Sequence, residues 1–129
     1  MIKFPPYETD KNGLNKKIQC HVLPDELMRK YHFTDLSGSR WYYTKNIRLP
    51  LRHYGTCISF NLLIDKDGSA WRIDVLDEYF LQPYDYQSMI DGVEEPNEMP
   101  MIVFKGVEKI MADLASKGII SGHEYGEYI

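Results

Sequence analysis

The chain has 129 residues, a formal net charge of −4 and hydrophobic residues at 43% of its positions. These values exclude a disordered chain, and the length predicts a single domain over residues 1–129. No apolar run approaches the roughly 20 residues that cross a bilayer, and the N-terminus lacks the apolar core of an export signal. We therefore expect a cytoplasmic protein with no membrane partner.

The N-terminal third predicts an irregular arm, one strand and one short helix. Residues 1–16 are rich in turn-forming residues and predict the arm. Residues 17–23 alternate between polar and apolar side chains, which indicates a short strand. Pro24 suits the first turn of a helix, because its ring fixes φ and its missing N–H needs no partner there. Residues 35–39 then predict a loop.

The middle of the chain predicts two further strands and their connection. Residues 41–49 place apolar side chains at alternate positions, which indicates a second strand. The strongest signal is a β-hairpin at 57–76, where two strand-like runs flank the turn sequence Asp-Lys-Asp-Gly at 65–68. We expect Ile64 to pair with Ser69, because this register buries the apolar side chains of both strands on one face.

The C-terminal part predicts two helices and a tail. One helix begins near Pro83 and ends by Gly92, and an acidic loop follows. The last helix is expected to begin around Pro100 and to end at Lys117, since apolar residues recur there at helical spacing. The tail over residues 119–129 has too many apolar side chains for a frayed end, so we expect it to pack onto the domain.

The predicted order of elements is therefore β-α-β-β-β-α-α. Consecutive strands joined by short turns predict a small antiparallel sheet, and clustered helices would cover one of its faces. The fold class is α+β, with the β-hairpin at 57–76 at its centre.

No motif for a metal, a cofactor or a catalytic nucleophile is found. The four histidines are widely separated, without a zinc-binding HExxH or CxxC spacing, and no glycine-rich phosphate loop occurs. Cys20 and Cys57 are too few for the disulfide framework of a small secreted protein, and their strand-like surroundings indicate buried free thiols. We expect neither a bound metal nor a cofactor.

Charge and tyrosine indicate a candidate binding surface. Residues 1–64 carry ten Lys or Arg and five Asp or Glu, a sum of +5, whereas residues 65–129 carry five and fourteen, a sum of −9. The acidic half holds five of the 10 tyrosines, a residue enriched in interfaces because its ring buries area while its hydroxyl keeps a partner. We therefore predict a non-catalytic accessory module whose acidic surface steers a basic protein partner. That surface comprises Asp77, Glu78, Gln82, Tyr84, Asp85, Tyr86, His123 and Tyr125.

Two other functions stay open. Asp77, Glu78 and Asp85 could act as general acid or base if they share a cleft, which would make the protein an enzyme with its site around residues 77–85. Residues 40–54 combine four Lys or Arg with four aromatic residues and no acid, a mixture that suits single-stranded nucleic acid. Nucleic-acid contacts would then come from Arg40, Lys45, Arg48 and Arg52. The oligomeric state is open as well.

Two stretches resemble a known group of proteins. Residues 77–87, DEYFLQPYDYQ, and residues 118–129, GIISGHEYGEYI, resemble an uncharacterised family of small proteins from Gram-positive bacteria and their mobile elements. No activity is known for that family, so the resemblance implies no catalytic residue. It implies a bacterial, cytoplasmic setting with a link to phages or other mobile elements.

Overall fold

A computed structural model describes residues 12–50, 57–78 and 82–124. Within these ranges the chain forms seven strands and three helices. In chain order they are β1 (Gln19–Cys20), α1 (Asp25–Lys30), β2 (Thr34–Leu36), β3 (Arg40–Ile47), β4 (Ile58–Asp65), β5 (Trp71–Asp77), β6 (Gln82–Pro83), α2 (Tyr86–Ile90), α3 (Glu98–Ser116) and β7 (Ile120–Ser121).

Five of these strands form one sheet in the order β2-β3-β4-β5-β6, and every neighbouring pair is antiparallel. Side chains from all three helices join the inner face of this sheet in one hydrophobic core. The predicted α+β class is therefore confirmed. The first predicted strand differs from expectation, because β1 pairs with β7 in a separate two-stranded ribbon and not with the main sheet.

The central hairpin is confirmed, but its strands pair two residues away from the predicted register. Ser69 lies in the loop and does not face Ile64. The backbone N–H of Asp65 donates to the carbonyl oxygen of Ala70 at 2.9 Å, which closes a four-residue loop. Within it, Asp67 Oδ1 accepts hydrogen bonds from the backbone N–H and the hydroxyl of Ser69, and this Asx turn keeps Ser69 out of β5. A shift of two residues preserves the predicted faces, since side chains alternate with period two.

The core lies between the sheet and α3. Trp41, Phe60 and Leu62 project from the inner face of the sheet and are completely buried. Gly106 lets α3 approach β3 closely, because a Cβ at this position would lie 2.8 Å from Cγ2 of Ile47. The predicted apolar stripe of the last helix is buried as expected, at Val103, Phe104, Val107, Ile110, Met111 and Leu114.

Two short strands were not predicted. β2 occupies part of the loop expected over 35–39, and it forms a tight hairpin with the start of β3. β6 contains Pro83, which pairs with Leu76 of β5, so the helix expected from Pro83 begins only at Tyr86. Proline is tolerated in β6 because that strand lies at the edge of the sheet, where a ladder hydrogen bond is not required of it.

The tail folds back onto the domain as far as it is described. Ile119 and Ile120 are buried, and β7 pairs with β1. Gly122 follows with φ of +86°, and a Cβ there would collide with the backbone carbonyl oxygen of Lys17. A glycine is therefore required for the tail to pass this close to the strand. Residues 125–129 lie outside the described part of the chain.

The two cysteines occupy different environments. Cys20 is buried in the core, and burial raises the pKa of its thiol to about 12. Cys57 is exposed at the residue before β4, which corrects the expectation that both thiols are buried. Both are free thiols. The irregular N-terminal arm is packed where it is described, because Leu14 and Asn15 are buried, while residues 1–11 lie outside the description.

Candidate functional site

The tyrosines of the predicted acidic surface belong to the core. Tyr86 is 1% exposed and Tyr84 is 8% exposed. Their ring centroids are 6.5 Å apart, and the Tyr86 ring also contacts Phe104 of α3. Burial, and to a lesser degree the carboxylate of Asp77, raises the pKa of Tyr84. Neither ring is available as an exposed anchor for a partner, which corrects that part of the prediction.

Two carboxylates of the same segment, those of Asp77 and Glu78, point to opposite faces of the sheet. Asp77 is 7% exposed and faces Ile58 on the inner side of the sheet. Glu78 is exposed and points to the outer side, because consecutive strand residues alternate between faces. Asp85 lies on the loop before α2 and makes no side-chain cap there. Gln82 is exposed in β6, opposite Asp77. Asp77 and Glu78, which the sequence placed together as an acid–base pair, therefore lie on opposite faces of the sheet.

His123 lies apart from Asp77 and Glu78, in a cavity of about 200 Å³ between the arm, α2 and α3. Its Nε2 is 2.8 Å from Oε2 of Glu108, and its side chain is 8% exposed. Lys17 and Glu124, at the rim of this cavity, form an exposed ion pair at 2.9 Å. Four polar side chains of this small cavity thus form two pairs. Tyr125, the last residue of the predicted surface, lies outside the described residues.

A chain of hydrogen bonds crosses the outer face of the sheet. The hydroxyl of Tyr42 donates to Oδ1 of Asn61 at 2.8 Å, and Nδ2 of Asn61 donates to Oγ of Ser59 at 2.9 Å. Ser59 in turn donates to Oε1 of Glu78 at 2.5 Å. Sequence reasoning did not find this network, because its members come from β3, from β4 and from the residue after β5, and their pairing depends on the register. It holds Glu78 in place and orders the outer face.

A larger concavity, of about 850 Å³, lies on the inner side between the second half of β3 and α3. We call it the basic groove; its defining residues are Lys45, Ile47, Arg48, Ile102, Lys109 and Ile110. Ile47 and Ile110 are buried and form an apolar floor, whereas Lys45, Arg48 and Lys109 are exposed at its rim. Asp113 and Lys117 also line the groove and pair with each other at 2.9 Å. The groove therefore combines an apolar base with three exposed positive charges and one internal ion pair.

The four basic residues predicted to bind nucleic acid are not all together. Lys45 and Arg48 both line the basic groove. Arg40 lies at the other end of β3, where its Nε donates to Oδ1 of Asp65 at 2.9 Å and both side chains are largely buried. Arg52 lies outside the described residues. Lys109 completes the groove from a helix about sixty positions away in sequence, which is why segment-by-segment reading missed it.

One edge of β3 is open beside the groove. β2 pairs only with residues 40–42 of β3, so no described strand covers the positions that follow on that side. The N–H of Asp65 bonds to Ala70, on the β5 side, so the odd-numbered residues of β4 direct their peptide groups toward β5 and the even-numbered ones toward β3. The even-numbered residues of β4 pair with odd-numbered residues of β3, whose peptide groups therefore point toward β4. The peptide N–H and C=O groups of Thr44 and Asn46 therefore face away from β4, toward the open edge.

The chain leaves this edge because of its local conformation before β2. His32 has φ of +70°, in the left-handed region, and its N–H bonds to the carbonyl oxygen of Arg29 at the end of α1. The backbone thus turns out of the strand direction just before Thr34. If the residues before Thr34 continued the strand, they would pair with Thr44 and Asn46. They form α1 and a turn instead, so this part of the β3 edge is left open.

Two features are absent from the described residues. No group of three or more His, Cys, Asp or Glu side chains in the described ranges is placed to hold a metal ion. None of the described helices combines the length and the hydropathy needed to cross a membrane.

Comparison with known proteins concerns the fold. No family model and no curated protein sequence matches the chain. The structure is similar to the crystal structure of a DUF1831 family protein from Lactobacillus plantarum, with a TM-score of 0.61 and 8% sequence identity. The match covers 81% of this chain and 84% of that one. The fold described here therefore also occurs in a protein of a Gram-positive bacterium.

Proposed function

We propose that this chain is a non-catalytic protein-binding module whose basic groove holds an acidic segment of another polypeptide. The proposal rests on the unpaired positive charges at the rim of the groove. Lys45, Arg48 and Lys109 have no ion-pair partner within the described part of the chain. Six other basic side chains have acidic partners: Lys17, Arg29, Arg40, Lys66, Arg72 and Lys117. Lys16, Lys30 and Lys105 also lack a partner among the described residues, but none of them lines the groove.

Unpaired charges around an apolar floor favour a partner that supplies both carboxylates and apolar contacts. Exposed lysine and arginine side chains attract acidic groups and speed encounter, while buried apolar area at the floor contributes to affinity. The whole chain is acidic, with a net charge of −4, so its long-range field is less favourable for a polyanion than the groove alone. A short acidic segment that contacts only the groove fits this charge distribution.

A polypeptide fits the groove better than single-stranded nucleic acid. Binding of unpaired bases relies on exposed aromatic rings for stacking. Tyr43, the aromatic residue that lines the groove, is only 5% exposed, and its ring packs against Phe33 with centroids 5.1 Å apart. Burial in this packing raises the pKa of Tyr43, as expected for a core tyrosine.

The setting that we propose is the cytoplasm of a Gram-positive bacterium, with a link to its mobile elements. Two observations support it. Residues 77–87 and 118–129 resemble the family described above, and the fold also occurs in a Lactobacillus protein. Membership of the resembled family is part of this proposal.

The test uses a fluorescent peptide that alternates glutamate and valine, titrated with the full chain at low and at physiological salt. The double variant Lys45→Glu with Arg48→Glu should weaken binding by roughly tenfold or more, because two attractive charge contacts become repulsive. The matched control is Lys16→Glu with Lys30→Glu, which changes the net charge equally at exposed sites away from the groove. The control should bind as the unmodified chain does.

Three results would contradict the proposal. The peptide could fail to bind, the two double variants could weaken binding equally, or an oligothymidylate could bind more tightly than the peptide. The last result, together with loss of that binding in the groove variant, would assign the groove to single-stranded nucleic acid.

A further inference from the structure

We infer that the acidic partner binds by adding a β-strand to the open edge of β3, alongside Thr44 and Asn46. The inference rests on the proposed function and names the mode of binding in the same groove. The partner is an extended peptide segment whose carboxylates lie beside Lys45 and Lys109. Main-chain hydrogen bonds would supply part of the affinity, and alternate side chains would supply selectivity.

The first support is the direction of the backbone groups at this edge. The peptide groups of Thr44 and Asn46 face away from β4, and no strand within the described ranges pairs with them. Main-chain N–H and C=O groups are strong hydrogen-bonding groups that can pair with an added strand. The same groups border the basic groove, because Thr44 and Asn46 are among its surrounding residues.

The second support is the contrast with the edge on the other side of the sheet. There the N–H of Tyr84 donates to the carbonyl oxygen of Val75 at 2.8 Å. The side chain of Asn15 makes both bonds to Ile73: Oδ1 accepts from the Ile73 N–H at 2.8 Å, and Nδ2 donates to the Ile73 carbonyl oxygen at 3.0 Å. The β5 edge is thus closed by another part of the chain, whereas the β3 edge has no such closure among the described residues.

The third support is the position of the charges relative to the added strand. Lys45 faces the α3 side of β3, because it shares the parity of the buried residues Tyr43 and Ile47. Lys109 faces the same groove from α3. An added strand would direct alternate side chains into this groove and the others toward the outer face. Glutamate at every second position would place its methylene groups over Ile47 and Ile110 and its carboxylate beside Lys45 and Lys109, and this is the pattern that we expect to be preferred.

The length of the edge limits the partner segment. Residues 43–47 span about five residues of strand, or roughly 16 Å at about 3.3 Å per residue. A segment of four to six residues is therefore sufficient, and longer acidic tracts should gain little. An edge lysine can also serve only to prevent unwanted pairing between sheets. The experiment must separate that role from recognition.

The experiment compares the alternating glutamate and valine peptide with two N-methylated isomers. One isomer carries N-methyl groups on all glutamate residues and the other on all valine residues, so charge and side chains are the same. Strand addition uses the N–H groups of every second peptide residue. One isomer should therefore lose at least tenfold in affinity while the other binds like the parent. The isomer that fails reports whether the added strand is antiparallel or parallel to β3.

A second readout comes from the protein. Peptide binding should slow amide hydrogen exchange at Thr44 and Asn46 at least tenfold, whereas the amide of Lys45, already bonded to β4, should change little. If both N-methylated isomers bind as the parent does and exchange at Thr44 and Asn46 is unchanged, strand addition is wrong while the basic groove remains the binding site. If the parent peptide does not bind, the proposed function itself fails.

Discussion

Asn15 closes the β5 edge, and its substitution tests whether that closure stabilises the fold. The change Asn15→Ala leaves the N–H and the C=O of Ile73 without the two hydrogen bonds described above. Asn15 is 7% exposed, so water has little access to these groups in the folded chain. A buried polar group left unpaired costs about 1–3 kcal/mol. With two groups affected and partial entry of water into the vacated space, we expect a loss of about 2–4 kcal/mol in the free energy of unfolding.

The measurement is urea denaturation followed by circular dichroism, with amide exchange at Ile73 as the local readout. Asn12→Ala is the matched control. Asn12 makes an equivalent pair of bonds, donating to the Tyr84 carbonyl oxygen at 3.0 Å and accepting from the Gln87 N–H at 3.1 Å. Because Asn12 is only partly buried, water can replace its bonds, and its loss should be about 1 kcal/mol.

The reasoning would be refuted by either of two results. One is an Asn15→Ala variant whose free energy of unfolding falls by less than that of Asn12→Ala. The other is exchange at Ile73 that stays as slow as in the unmodified chain, which would mean that another group replaces Asn15.

Two further predictions concern the tail and the stability of the protein at acid pH. Gly122→Ala should lower the free energy of unfolding by about 2–4 kcal/mol, because the new Cβ combines a positive φ with a backbone collision. Gly118→Ala, with φ of +78° and open space, should lower it by only about 1 kcal/mol. Equal losses for the two variants in urea titrations would contradict the collision. A hydrogen bond from Lys66 lowers the pKa of Asp35 below its ordinary value of 3.8. The stabilisation of the fold by ionised Asp35 is therefore present above pH 3.8 and is lost as the pH falls through the pKa of the folded state. Asp35→Asn should make the unfolding midpoint decline less steeply with pH below about pH 4. Equal declines in the variant and the unmodified chain would contradict this prediction.

The sequence predicted the fold best where one face of an element is buried. The apolar stripe of α3 and the alternation of apolar and polar side chains in β3 and β4 were sufficient to place these elements. Burial of one face spaces the apolar residues at the helical period or at every second position, and this spacing is visible in the sequence. The hairpin register depended on the Asx turn at Asp67, a local hydrogen bond that hydrophobic pattern does not encode. β2 and β6 were missed for a related reason, since two or three residues are too short to show a period.

The candidate site was harder to predict because it joins distant parts of the chain. Tyr84 and Tyr86 looked like surface anchors since acids surround them in sequence, but the sheet and α3 bury both rings. Lys45 and Arg48 were found within one basic segment. Lys109 comes from α3, and the open edge of β3 depends on where β2 ends. Neither fact can be read from composition.

The β1–β7 ribbon also has a consequence for the order in which the chain can fold. It joins residues 100 positions apart, as between His21 Nε2 and Ser121 Oγ, which lie 2.9 Å from each other. A ribosome adds residues at roughly 5–20 per second, so β1 waits roughly 5–20 seconds during synthesis before its partner strand exists. During that interval the apolar side chains of Ile18 and Cys20 lack the tail that later covers them. This ribbon therefore cannot close during synthesis until β7 has been made, however early the main sheet forms.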